Sequence, residues 1–100
     1  MFQVLVALAD GEKHGYAVIK EIARRTDGKV RLRAGTLYAV IRRFVDDGLI
    51  QESAERPDPA LDDERRRYYR ITDRGRAVAM AEARRMTDTL AQARAKLGAM

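Results

Sequence analysis

Apolar positions recur every three to four residues along most of this chain, and the interruptions are few and sharp. Phe2, Leu5, Val6 and Ala9 fall at helical spacing until Asp10-Gly11 breaks the pattern, which predicts a short first helix and a turn. Past Lys13, the positions Tyr16, Ile19 and Ala23, flanked by Val18 and Ile22, mark a second amphipathic helix ended by Asp27-Gly28. Tyr16 is expected in its core face, and Val30 to Leu32 reads as a short strand. In a third helix Leu37, Ile41 and Phe44, at i, i+4 and i+7, form the buried stripe, with Val40 and Val45 on its flanks. At about 100° per residue, Gly35, Tyr38, Ala39, Arg42 and Arg43 are then predicted to point outward.

Gly48 suits a C-terminal cap for this helix, and Leu49 to Glu55 reads as a strand weakened by Glu52 and Glu55. Arg56-Pro57-Asp58-Pro59 opens a loop, and Arg66 to Ile71 returns as the second strand of a hairpin. Alternation puts Arg66, Tyr68 and Arg70 on one face and Arg67, Tyr69 and Ile71 on the other, the inward one. Thr72 can cap a last helix that runs to about Leu97, roughly 37 Å, with Gly75 as a weak spot in its first turn. Along it, Ala79, Ala83, Met86, Leu90, Ala93 and Leu97 alternate spacings of four and three, the seam of a coiled coil. The rest of the chain is too small to cover so long a helix, so the seam is expected to meet a second copy. Phe2 and Leu5 of the first helix are expected to complete that homodimer interface. The fold class expected is mainly α with a β-hairpin: a winged helix-turn-helix over residues 1–71 and a long C-terminal dimerisation helix over residues 72–100.

Composition narrows the chemistry. The 100 residues carry a net charge of +5, contain no cysteine and have His14 as the sole histidine, so thiolate metal sites and disulfides are excluded. Charge is unevenly placed: between Arg24 and Arg43 seven cationic residues face one acid, Asp27. A second basic run holds Arg65, Arg66, Arg67, Arg70, Arg74 and Arg76 against Asp73, while Asp58, Asp62, Asp63 and Glu64 make the loop between the strands acidic. Two basic segments favour a polyanion as partner. Phe2 to Ala9 is too short to span a bilayer and lacks signal-peptide features, so a cytoplasmic protein without membrane contact is expected.

Particular residues carry a resemblance as well. His14-Gly15-Tyr16, Ala34-Gly35-Thr36-Leu37-Tyr38, Asp47-Gly48-Leu49-Ile50 and the run from Arg67 to Gly75 occur in order, with spacing similar to the H-G-Y, G-T-L-Y, G-L-I and Y-Y-x-[IL]-T-x-x-G motifs of the PadR family of bacterial transcriptional regulators. The resemblance covers roughly residues 2 to 76. It implies a reading helix that begins near Ala34 and enters the major groove, a wing beside it, and repression of transcription. Ala39 stands where the family often has proline, and its methyl can meet a thymine. The chain has no tryptophan, so a stacking pocket for drugs is not carried over.

The candidate contacts to double-stranded DNA are therefore Gly35, Thr36, Tyr38, Ala39, Arg42 and Arg43 from the helix, and Arg66, Tyr68 and Arg70 from the wing. Met80, Met86 and Leu90 are candidates to line a site for a small hydrophobic or aromatic effector near the dimer seam, where methionine and leucine also serve as plain packing. His14 reads as a cap or core hydrogen-bonding residue. Gly15 reads as a point of close helix approach. No catalytic residues and no cofactor are expected: Ser53 is the only serine, His14 has no motif partner, and no phosphate-binding glycine pattern occurs. Two other readings stay open, a winged-helix module that binds an acidic protein and a sensor whose main activity is ligand capture.

Overall fold

The computed structural model describes residues 1–53 and 67–98. In chain order the elements are α1 (Phe2–Leu8), β1 (Lys13–His14), α2 (Gly15–Arg25), α3 (Ala34–Asp46), β2 (Ile50–Glu52), β3 (Tyr68–Ile71) and α4 (Asp73–Leu97). Helices α1, α2 and α3 close around Val4, Leu8, Val18, Ile22, Leu37 and Ile41, all nearly inaccessible to solvent, and Leu49, Ile50 and Tyr69 bring the sheet onto that core. The small sheet is antiparallel with order β1-β3-β2, so β3 is its central strand. Ile50 pairs with Ile71 and Glu52 with Tyr69 on one side, and Lys13 with Tyr69 and His14 with Tyr68 on the other.

The ends of the helices show why the chain turns where it does. His14 caps α2, its Nδ1 accepting the backbone N–H of Ala17 at 3.1 Å. Asp27 and Gly28 both take positive φ, 53° and 77°, and release the chain from α2. After α3, Gly48 has φ 75°, while the N–H groups of Gly48 and Leu49 donate to the carbonyls of Val45 and Phe44, the paired bonds of a Schellman motif. Thr72 fastens α4 to that exit: its Oγ1 accepts the N–H of Gly75 at 3.0 Å and donates to the carbonyl of Gly48 at 2.6 Å, and its own N–H donates to the carbonyl of Leu49. Gly75 is no weak spot, because a Cβ there would stand 1.9 Å from the Leu49 carbonyl oxygen. The backbone of α4 crosses the sheet so closely that only glycine fits.

Several expectations are corrected. Val30 to Leu32 pairs with no strand among the described residues; the third strand is β1, whose two residues the sequence pattern places at a turn and helix start. The buried face of α2 is Gly15, Val18, Glu21 and Ile22, about one residue out of phase with the expected stripe. Tyr16 is therefore 56% exposed, with the Lys20 ammonium 4.6 Å from its ring centroid. Glu21 is tolerated inside because Lys13 and Arg25 flank its carboxylate at 3.6 and 3.4 Å. Lys13 also donates to the carbonyl of Ala7 and to Asp10, and its hydrogen bond and charge hold the Asp10 carboxyl below the ordinary range.

Leu5, expected at a dimer interface, is 4% exposed and belongs to the core. The first turns of α4 pack back on α1 and β3, and Ala79 touches the core. Beyond that point the helix leaves the domain and gives the molecule an extent of 60 Å along its longest axis. Phe2 and Ala83 are partly buried.

Candidate nucleic-acid interface

The site is built on α3. Its buried side is Leu37, Tyr38, Ile41 and Phe44, and its exposed residues include Gly35, Thr36, Ala39, Arg42 and Arg43. Those five occupy an arc of roughly 120° around the helix axis. A Cβ on Gly35 would meet no heavy atom within 4 Å, so the first turn is open to close approach. The backbone at Arg33 is extended, and no side chain caps the first turn. Arg43 leans toward Asp47, with Nε 4.0 Å from its carboxylate, one turn along. Partial burial, and then the charge of Arg43, hold the α-amino group of Met1 below its ordinary pKa.

Tyr38 is the exception among the predicted outward residues. It is 7% exposed, and a Cβ at Gly15 would lie 2.6 Å from its hydroxyl oxygen. The ring fills the slot that glycine leaves at the start of α2, so Tyr38 locks the two helices of the motif together and does not face outward. On the helical wheel it sits at the border of the apolar stripe, and the missing side chain at Gly15 turns that border position inward.

The wing supplies a second set. Tyr69 is buried and Arg70 exposed, as the alternation along β3 demands, while Tyr68 is half-buried because β1 lies beside it. The rings of His14 and Tyr68 meet edge to face with centroids 5.5 Å apart. Arg67 pairs across the hairpin with Glu52 at 3.6 Å. Arg66, the remaining wing candidate, lies outside the described residues, as does the acidic stretch from Asp58 to Glu64.

On α4, Met86 and Leu90 are 47% and 50% exposed and share a shallow open groove with Glu82, Arg85, Thr89 and Ala93. Met80 is equally exposed but lies outside that groove, on another side of the helix, so it does not join them. Leu97 is 72% exposed. Among the described residues no group of three or more histidine, cysteine or carboxylate side chains is placed to hold a metal ion, and no helix is long and apolar enough to cross a membrane.

A family model described as the transcriptional regulator PadR-like family matches residues 4–81. The chain belongs to the PadR family. Among similar proteins, Transcriptional regulator Rv3488 of Mycobacterium tuberculosis is 38% identical over 89 residues, which are 89% of this chain and 76% of that protein. An uncharacterised protein of Lysinibacillus sphaericus is 34% identical over 74 residues, 74% of this chain, and the chain spans just under two thirds (65%) of its length. A transcriptional regulator from Clostridium thermocellum has the same fold, with a TM-score of 0.80 at 25% identity over 96% of this chain and 87% of its own. Bacillus subtilis PadR, whose structure was solved in complex with operator DNA, shares the fold at a TM-score of 0.68 and 17% identity, over 82% of this chain and 45% of its own. The winged-helix architecture with four helices is thus that of PadR regulators.

Proposed function

We propose that this PadR-family regulator binds double-stranded DNA as a homodimer and represses transcription from a pseudo-palindromic operator. The observation that carries the reading is the outward face of α3, where Gly35, Thr36, Ala39, Arg42 and Arg43 stand clear of the core on a rigid helix. Small residues in the first two turns let the helix backbone come close to base edges, and the arginines one to two turns further on reach guanine or phosphate. Arg70 and the exposed part of Tyr68 supply contacts from the wing, and Arg66, outside the described residues, is kept as a candidate from the sequence. Tyr38 contributes by fixing α3 against α2, not by touching DNA.

Residues 1–71 act as the reading head and residues 72–100 as the dimerising helix. Ala83, Met86, Leu90, Ala93 and Leu97 keep the heptad spacing over the stretch of α4 that leaves its own domain. A second copy covers that stripe, with Phe2 of the partner beside it, and sets the two reading helices about one turn of DNA, ~34 Å, apart. A small hydrophobic effector lodged along Met86 and Leu90 would shift that spacing and lower operator affinity.

Selection of bound duplexes from a random pool tests the reading. The expected product is a two-fold symmetric motif with half-sites about 10 base pairs apart. Recovery of no enriched sequence, or of a single unrepeated half-site, would overturn the dimeric reading head.

A further inference from the structure

Several cations of the domain are paired with acids within it. Lys13 pairs with Asp10 and Glu21, Arg25 with Glu21, Arg43 with Asp47 and Arg67 with Glu52. Lys29, Arg31 and Arg33, in the segment that leads into α3, are exposed and have no acidic partner among the described residues. Three exposed positive charges thus stand at alternate positions immediately upstream of the outward face of α3.

The segment is also held in one orientation. Val30 and Leu32 are partly buried and packed on the core, so the alternation Lys29, Val30, Arg31, Leu32, Arg33 puts apolar side chains inward and cations outward. This is the pattern that reads as a strand in the sequence; here it anchors the segment between α2 and α3, which pairs with no strand among the described residues. Its departure from α2 is set by Thr26, whose Oγ1 accepts the N–H of Val30 at 3.0 Å and donates to the carbonyl of Ile22 at 2.8 Å. Gly28, at φ 77°, completes the turn, and the Arg31 guanidinium lies over it so closely that a Cβ would stand 2.8 Å from Nη2. Three cations are therefore presented in a row by a braced backbone.

We infer that Lys29, Arg31 and Arg33 form a phosphate-binding strip that grips the DNA backbone beside the groove entered by α3. This rests on the DNA-binding reading above and extends the interface to a segment that makes no base contact. Residues that hold phosphates position the protein without selecting sequence. Each phosphate neutralised contributes about 0.9 to the slope of log affinity against log salt concentration.

The test is an anisotropy titration of the full chain with a selected duplex and with an unrelated duplex, at several salt concentrations. The triple variant Lys29→Gln, Arg31→Gln, Arg33→Gln is compared with the wild type and with Arg31→Lys, Arg33→Lys. The side chains are exposed, so the thermal melt of each variant is expected to match the wild type, and the melt is recorded to check it. The glutamine variant is expected to lose affinity for both duplexes by a similar factor and to reduce the salt slope by about 2 to 3. The lysine variant is expected to keep the wild-type slope. A wild-type slope in the glutamine variant, or a loss confined to the selected duplex, overturns the strip while leaving the DNA reading intact. A wild type that binds neither duplex overturns both.

Discussion

At Gly75 one methyl group decides whether α4 can start. Gly75→Ala drives a Cβ toward the Leu49 carbonyl and onto Ile71, a backbone clash that no rotamer change relieves. It is expected to cost about 3 kcal/mol or more in urea unfolding, at the upper end of overpacking penalties. Gly35→Ala meets open space inside a helix and is expected to leave stability unchanged or raise it by about 0.5 kcal/mol. The two glycines are indistinguishable by local sequence. What separates them is a carbonyl brought near by the fold. The same holds for Tyr38 and Tyr16: a tyrosine has an apolar body and a polar tip, so its spacing alone does not fix which way it faces. Gly15 removed the side chain that would have kept Tyr38 out, and the actual phase of α2 left Tyr16 under Lys20. Leu5 was assigned by its place on the first helix and proves to be core. Leu5→Ala is expected to destabilise each protomer by about 2–4 kcal/mol in urea unfolding.

Among the elements, long periodic stretches were the most legible. The bounds of α3 and α4, the Thr72 cap, the Gly48 exit and the parity of Tyr69 and Arg70 follow from period, caps and alternation. Short elements were not. β1 is two residues long and exists because β3 lies alongside it, a nonlocal pairing that no window around Lys13 could contain. Val30 to Leu32 carries the opposite lesson, since alternation there records burial of one side of a segment that has no strand partner among the described residues. On α4 the heptad-spaced positions fall into two groups. Ala79 packs on its own domain, whereas Met86, Leu90 and Leu97 stay exposed along the protruding part. Met86→Glu with Leu90→Glu is expected to turn a dimer into a monomer in sedimentation equilibrium, because two like charges per helix would face each other across the seam. A dimer that persists with the wild-type association constant would place the interface elsewhere.

For the molecule as a whole, the proposed division of labour gives the protruding α4 the spacing of two heads and the compact head the reading of one half-site. Thr72 joins them: its hydrogen bonds to Gly48, Leu49 and Gly75 tie the end of α3 to the start of α4. In the proposed dimer, a displacement of the seam would be passed to α3 through this short junction. The family was legible from four ordered motifs, and its recognition fixed the winged-helix class. The cationic row before α3 emerged only once burial had sorted the alternating residues of that segment. The most direct measurement of the central claim is the affinity of wild type and of the Arg42→Ala, Arg43→Ala variant for a selected duplex, at fixed salt and with matched thermal melts. A loss of at least tenfold, about 1.4 kcal/mol, is predicted on removal of the two outward arginines of α3; wild-type affinity in that variant would contradict the assignment of α3 as the reading helix.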